Sequence, residues 1–356
     1  MKILFLSKRR PQGRDLLARP YGRFFHIPRV LSEGGHDVCL LLLSYKKEAR
    51  SREFRSGMTW ISESVFPSGP LGYLRCAKKI AEEFKPDWVV GLSDTYYGIL
   101  AVMLGERYRI GSVIDAYDNY ESYIPWLKPL HQLWRKALAK ASLVTAAGPH
   151  LAQFLASFRE DRTTHIIPMA SDPIFRPLDR AACRQKLGLP LGRKLLGYCG
   201  SLYHNRDVET MFRAFERLNR QVPGLEMVAS GRRGKRVRTP EKMRHLGYLP
   251  DELVPAFLNS VDVLLVANRL SDFGKFSYPV KLYEAMRCQI PVLAMDTPGA
   301  NWILRSRKDF LARPGDPDDL ASKTKQLLLL DRFDYGDQNT WEESSILFEK
   351  VLRYGK

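Results

Sequence analysis

Glu284 lies in a segment whose residue types could bind a nucleotide. In "FSYPVKLYEAM" (276–286) a proline can start a helix, and Lys281 and Glu284 then fall three residues apart on one helix face. A carboxylate can accept two hydrogen bonds from a vicinal diol such as that of a ribose, and a lysine suits a diphosphate. The alternative interpretation is an ion pair on a helix surface, worth roughly a few tenths of a kcal/mol.

The same segment predicts how its helix begins and which side it buries. Pro279 suits the first helical turn, and Ser277 is predicted to be the N-cap. The apolar residues expected to face the core are Val280, Leu282, Tyr283 and Met286.

A second candidate loop is "GYCGSLYHNRDVETMF" (197–212). An apolar strand ends there at Gly200, which lets a ligand approach the backbone closely, and a helix is predicted to start at 205–207. The N–H groups at a helix start suit a phosphate, and Arg206 could add a full positive charge. Arg206 could equally be a solvated residue of the first helical turn.

Strands and helices alternate along the chain and must position both loops. Short, nearly continuous apolar runs are typical of parallel strands covered on both faces. They lie at 2–7, 36–44, 87–92, 111–115, 142–147, 164–170, 194–201, 225–231, 244–250, 261–268, 290–296 and 310–314. This order predicts an α/β fold of two doubly wound Rossmann-like domains that face each other across a cleft, with ligands at the carboxyl ends of the strands.

Length, cysteine content and hydropathy exclude several classes of protein. The 356 residues exceed one ordinary core, and the 45% hydrophobic content is enough for two. The five cysteines show no CxxC spacing, which argues against a disulfide framework or a zinc site and fits a reducing cytoplasm. The start "MKILFLSKRR" is too short for a signal-peptide core, and no run reaches the roughly 20 apolar residues of a membrane span.

The net charge indicates either an anionic partner or simply a soluble protein with a basic pI. Lys and Arg outnumber Asp and Glu by 56 to 39, which gives +17, and such a surface attracts anionic lipid, nucleic acid or a polyanionic substrate. The segments 7–25 and 123–142 mix cations with aromatic residues, as at a membrane interface. An ordinary partly buried helix remains the alternative for 123–142.

Several segments together resemble the GT-B-fold glycosyltransferases, specifically the retaining family four. In the second half these are "GSLYHNRDVETMFRAF", "HLGYLPDELVPAFLNSVDVLLVA", "SYPVKLYEAMRCQIPVLAMDTPG" and "PGDPDDLASKTKQLL". In the first half they are "GRFFHIPRVLSEGGHDV" and "IIPMASDPIFRP". The motifs occur in the family's order and cover nearly the whole chain.

The resemblance implies a site for a nucleoside-diphosphate sugar. Glu284 matches the acid that holds the donor's ribose, and Arg206 falls where the family has a lysine on the diphosphate. The loop beneath the diphosphate and the start of the helix that carries Glu284 are also implied to contact the donor. The implied donor-binding residues are Gly200, Ser201, Arg206, Ser277, Tyr278, Pro279, Lys281 and Glu284. Arg206 and Lys281 would neutralise the leaving diphosphate. The resemblance also implies retaining transfer without a metal or other cofactor.

The acceptor is expected to meet the first half of the chain. Arg19, Gly22 and Arg23 occupy the region of a glycine pair of the family, and the region where the family often has a histidine offers Asp115, Tyr117 and Asp118. We predict that Asp118 contacts the sugar or the acceptor. The acids of "GDPDDL" (315–320) are predicted to start a helix and not to hold a metal.

The sequence departs from the family at identifiable positions. Phe276 replaces the first acid of the family's Glu-x7-Glu motif, and Ser201 replaces an arginine that usually accompanies the diphosphate lysine. Gln289 replaces a glycine at a helix end where a positive φ is often needed.

The predicted function is transfer of a sugar from a UDP- or GDP-type donor to a hydroxyl acceptor, either a lipid-linked or a cell-surface glycan. The expected location is the cytoplasm, at the inner face of the membrane. The predicted domains are 1–170 for the acceptor, 171–335 for the donor and 336–356 as a helix packing back on the first. The alternatives are an inactive scaffold of the same family and a nucleic-acid-binding protein, although no RNA-binding or zinc signature is present and nucleic acid is not an expected partner. A dinucleotide oxidoreductase would need a GxGxxG turn, which the sequence lacks.

Overall fold

The continuous apolar runs form parallel strands, as predicted. In the computed structural model, which describes residues 1–67 and 69–355, the chain divides into two units. Unit 1 comprises Met1–Ala170 and Asn339–Lys356, and unit 2 comprises Ser171–Gln338. Each unit contains its own sheet and helices, so each is an α/β domain.

The sheet of unit 1 has eight strands in the order β3-β4-β2-β1-β5-β6-β7-β8. Their bounds are β1 Lys2–Lys8, β2 Asp37–Ser44, β3 Ser51–Arg55, β4 Met58–Ser64, β5 Trp88–Gly91, β6 Gly111–Ala116, β7 Leu143–Ala146 and β8 His165–Ile166. The interior residues of β1 and β2 are all buried because helices cover both faces of this parallel region. The helices are α1 Arg23–Glu33, α2 Gly69–Phe84, α3 Thr95–Tyr108, α4 Lys128–Lys140 and α5 Pro149–Ala156.

The edge hairpin β3–β4 was missing from the sequence prediction. These strands pair antiparallel across a two-residue turn at Ser56 and Gly57, whose φ angles are 52° and 74°. Such a Ser-Gly pair is a hairpin signal. The residues of β3 are mostly polar, and its Phe54 is 76% exposed, so apolar continuity could not reveal this strand.

The sheet of unit 2 has six parallel strands in the order β11-β10-β9-β12-β13-β14. Their bounds are β9 Lys194–Cys199, β10 Leu225–Ser230, β11 Met243–His245, β12 Val263–Val266, β13 Val292–Met295 and β14 Leu311–Ala312. The helices are α6 Arg180–Lys186, α7 Val208–Asn219, α8 Val254–Ser260, α9 Val280–Arg287, α10 Pro298–Ile303 and α11 Pro317–Leu327.

The last helix, α12 (Trp341–Tyr354), belongs to unit 1 and packs against α1. It begins with a capping box formed by Thr340 and Glu343. The Trp341 ring stacks on the His26 imidazole, with centroids 5.7 Å apart. The chain therefore leaves unit 1 after residue 170, builds unit 2 and returns with its final helix.

Replacing Gln289 by glycine is expected to raise the free energy of unfolding by about 0.5–1 kcal/mol. Gln289 follows α9 with a φ of 57°, which confirms the expected left-handed helix end. Glycine removes the steric cost of that conformation, although it adds entropy to the unfolded chain. Denaturant titration would measure the change. The matched control is Gln185→Gly inside α6, where glycine should lower stability. Destabilisation by both changes would contradict the prediction.

Candidate functional site

Hydrogen bonds with the buried residues Ser230 and Tyr198 fix the connection between β9 and α7. The Gly200 N–H donates to the Ser230 carbonyl at 2.9 Å, and the Tyr198 hydroxyl donates to the Ser201 carbonyl at 3.0 Å. Burial raises the pKa of Tyr198, so this hydroxyl stays protonated and keeps donating. Gly200 and Ser201 therefore form a held loop at the carboxyl end of β9.

The helix after this loop begins later than predicted. A 3-10 turn covers His204–Arg206, Asp207 takes a left-handed conformation with a φ of 57°, and α7 starts at Val208. The Asp207 side chain makes no capping bond to the backbone and instead accepts a hydrogen bond from the Thr210 hydroxyl at 2.9 Å. The predicted helix start at 205–207 is thus a separate turn that carries Arg206.

Arg206 is held by the connection between β12 and α9. Its Nη1 donates to the Asn268 Oδ1 at 3.1 Å, and its guanidinium lies 4.7 Å from the centroid of the Phe273 ring. The same connection leads directly into the helix that carries Glu284. The structure thereby joins the two loops that the sequence singled out. Sequence reasoning missed Asn268 and Phe273, although a polar residue directly after an apolar strand was an available signal for Asn268.

The Lys281–Glu284 pair is not an exposed pair on a helix surface. The Lys281 Nζ lies 2.6 Å from the Glu284 Oε2, and the two side chains are 24% and 6% exposed. Removing a carboxylate from water is costly unless cations or hydrogen bonds compensate, so a nearly buried glutamate needs this partner. The alternative of an exposed ion pair on the helix surface is therefore wrong, because the Glu284 side chain is nearly buried. The site contains a carboxylate that is shielded from water and lies beside an ammonium group.

Two predictions about the start of α9 need correction. The helix begins at Val280 with Pro279 in the N-cap position, and no side chain caps it, so Ser277 is not the N-cap. Pro279 is extended, with a ψ of 114°, and therefore precedes the first helical residue. Val280 is only half-buried, whereas Leu282, Tyr283 and Met286 are buried as predicted.

The residues before α9 are instead fixed by α10. Ser277 and Tyr278 are both buried, and the Tyr278 ring meets the Trp302 ring edge to face at 5.6 Å. A Cβ on Gly299 would lie 2.1 Å from the Ser277 carbonyl oxygen, so only glycine allows this approach. Packing between distant segments sets the position of this loop.

In unit 1, the predicted acceptor residue Arg23 is buried and ion-paired. Its Nε and Nη2 each lie 2.6 Å from an oxygen of Asp115, and both side chains are 0% exposed. The Thr145 hydroxyl also donates to Asp115, and the Arg23 Nη1 donates to the Ile167 carbonyl. Direct contact with an acceptor is therefore not available to this guanidinium. Arg23 instead ties α1 to the ends of β6 and β7.

The other predicted residues of unit 1 lie nearer to its surface. Asp118 follows β6, is 9% exposed and accepts a hydrogen bond from the Tyr123 hydroxyl at 2.8 Å. Burial, followed by the charge of Asp118, raises the pKa of Tyr123 and keeps this donor protonated. Gly22 precedes α1 with a φ of 55°, and Arg19 is exposed.

Neither a cluster of metal-ligating side chains nor a membrane-spanning helix occurs among the residues that the structure describes. Within 1–67 and 69–355, no group of three or more His, Cys, Asp and Glu residues is arranged to hold a metal ion. Asp316 caps α11 by accepting from the backbone N–H groups of Asp318 and Asp319, which confirms the predicted helix start. No described helix is long and apolar enough to cross a bilayer. All five cysteines are free thiols.

Comparison with known sequences identifies relatives of this chain. Residues 193–329 match the family model described as "Glycosyl transferases group 1". A D-inositol 3-phosphate glycosyltransferase of Acidothermus cellulolyticus is 24% identical over 222 residues, which are 54% of this chain and 48% of that protein. The chain thus matches about half the length of this curated relative.

Two solved structures show the same fold over almost the full chain. A sucrose-phosphate synthase from Thermosynechococcus elongatus has a TM-score of 0.75 and 14% identity, covering 99% of this chain and 94% of its own. Anabaena Alr3699/HepE in complex with UDP-glucose has a TM-score of 0.70 and 16% identity, covering 99% of both chains. At these identities the likeness concerns the fold.

Proposed function

We propose that this chain is a glycosyltransferase of the group 1 type, because residues 193–329 match that family model and the chain has the GT-B fold. The chain transfers a sugar from a nucleoside-diphosphate sugar to a hydroxyl acceptor. The observation that carries this proposal is the shielded Glu284 carboxylate beside Lys281, on a helix whose preceding loop holds Arg206. A carboxylate and two cations at the carboxyl ends of parallel strands suit a ribose and a diphosphate.

The proposed roles follow from charge and position. Glu284 accepts hydrogen bonds from the ribose hydroxyls, while Arg206 and Lys281 stabilise the negative charge that develops on the leaving diphosphate. Gly200 and Ser201 line the diphosphate from the backbone side. Retention of configuration and independence from a metal are proposed from the family resemblance.

The donor is proposed to be of the UDP or GDP type. Support for UDP comes from the HepE structure, which holds UDP-glucose in a chain of the same fold. The domain around α9 would then bind the donor, and the unit with Asp118 and Arg19 would bind the acceptor.

The acceptor is proposed to be a lipid-linked or cell-surface glycan, reached at the cytoplasmic face of a membrane. Support comes from α4 and the residues before it. Trp126 is 76% exposed and Leu133 is 53% exposed, and Lys128 and Lys136 are exposed on the same segment. Exposed apolar side chains beside lysines suit an anionic membrane surface.

Thermal unfolding in the presence of UDP, GDP, ADP and their sugars tests the proposal. A nucleotide at 100 times its Kd should stabilise the protein by roughly 2.7 kcal/mol. We expect a shift with a UDP or GDP compound, and slow release of the nucleoside diphosphate from the sugar donor without acceptor. Salt-sensitive stabilisation by nucleic acid, with no response to any nucleotide sugar, would overturn it.

A further inference from the structure

The loop after β10 carries the densest group of cations in unit 2. We name residues 232–238 the basic loop. It contains Arg232, Arg233, Lys235, Arg236 and Arg238, all of them exposed, and no acidic residue occurs between 231 and 240. The sequence motifs that define the donor site do not include this loop.

The basic loop is anchored against the Gly200–Ser201 loop. The Leu202 N–H donates to the Arg232 carbonyl at 2.8 Å, and the Gly234 N–H donates to the Leu202 carbonyl at 3.0 Å. A Cβ on Gly231 would lie 2.0 Å from the Gly200 carbonyl oxygen, so the two loops are in close backbone contact. Val237 is buried and fixes the far end. The backbone that carries these cations is therefore fixed against the Gly200–Ser201 loop, beside the proposed diphosphate position.

The charges of the basic loop are not balanced locally. Within the described part of the chain, no ion pair with a carboxylate is formed by any of its five cations. The Arg232 guanidinium lies 5.8 Å from the Tyr248 ring centroid. Uncompensated like charges repel one another, and a bound anion relieves that repulsion. Four of the five are arginines, whose planar forks match two phosphate oxygens at once.

We propose that the basic loop is a binding site for phosphate groups, separate from the positions of Arg206 and Lys281. Its ligand is a phosphorylated molecule that lies beside the Gly200–Ser201 loop. This site is additional to the proposed donor and acceptor sites and does not rest on the proposed function. The phosphate could belong to a soluble sugar phosphate or to a lipid headgroup, and both present the same oxygens to the arginines.

The test compares two variants of the full chain, each with three cations replaced by glutamate. The loop triple changes the basic loop and carries Arg233→Glu, Lys235→Glu and Arg236→Glu. Calorimetry with inorganic tripolyphosphate, and sedimentation with vesicles of phosphatidylcholine and phosphatidylglycerol, measure binding to each source of phosphate. We expect the loop triple to weaken binding to one or both probes by roughly tenfold or more, and the binding to weaken with salt.

The control triple is Arg213→Glu, Arg220→Glu and Lys325→Glu, which reverses three exposed cations on α7, at its end and on α11 of the same unit. It makes the same change in net charge and should leave binding of both probes nearly unchanged. Equal losses in both triples, or no loss in the loop triple, would overturn the proposal. UDP and GDP binding is measured on the same variants. A chain that binds neither nucleotide, yet loses tripolyphosphate binding only in the loop triple, would refute the proposed function and support the phosphate site.

Discussion

Asp115→Ala is expected to lower the free energy of unfolding by about 3–5 kcal/mol. The change leaves the Arg23 guanidinium buried without the carboxylate that compensates it, and both side chains are 0% exposed in the native protein. Since Thr145 also donates to Asp115, one hydroxyl loses an acceptor as well. Denaturant titration followed by circular dichroism would measure the loss.

Two further variants test whether the loss of stability in Asp115→Ala comes from breaking the ion pair. Asp37→Ala removes an exposed carboxylate at the start of β2 and should change stability by less than about 0.5 kcal/mol. Replacing both partners, as Arg23→Met with Asp115→Leu, should recover much of the loss because no buried charge remains. A loss in Asp115→Ala as small as that in Asp37→Ala would show that Arg23 reaches water or another partner.

Glu284→Gln is expected to lower kcat/KM for the donor by roughly a hundredfold or more. The amide keeps the shape of the side chain but loses the charge and one of the two acceptor oxygens that a diol would use. Folding should suffer less, because the Lys281 side chain is 24% exposed and can turn its charge toward water. Steady-state kinetics or donor hydrolysis would measure the effect.

Donors that lack one ribose hydroxyl make this test specific. If the proposed transfer occurs, a donor that lacks the 2′- or 3′-hydroxyl of the ribose should react more slowly with the wild-type protein. With Glu284→Gln the same deletion should slow the reaction little further, since the partner of the hydroxyl is already missing. The matched control, Glu216→Gln, changes an exposed glutamate of α7. Equal sensitivity to both deoxy donors in wild type and Glu284→Gln, together with a lower melting temperature in the variant, would assign Glu284 a structural role.

Sequence patterns were sufficient where the cause is local. Continuous apolar runs predicted parallel strands because a strand covered on both faces has no polar side. The turn after α9 was predicted at Gln289 because a helix must end in a conformation that satisfies its last carbonyls. The prediction that Ser277 caps α9 failed, because local sequence does not show tertiary packing. The Ser277 carbonyl packs closely against Gly299, and this contact fixes Ser277 although its side chain caps no helix.

The sequence by itself determined the two α/β sheets, the helix that carries Glu284 and Lys281, and the loop that carries Arg206. Only the tertiary structure decided that Glu284 is shielded from water and that Arg23 forms a buried ion pair with Asp115. It also decided that Asn268 and Phe273 hold Arg206. The reason is physical. Strand and helix patterns arise from neighbours within a few residues, whereas burial and ion pairing depend on side chains that the fold brings together from distant positions in the chain.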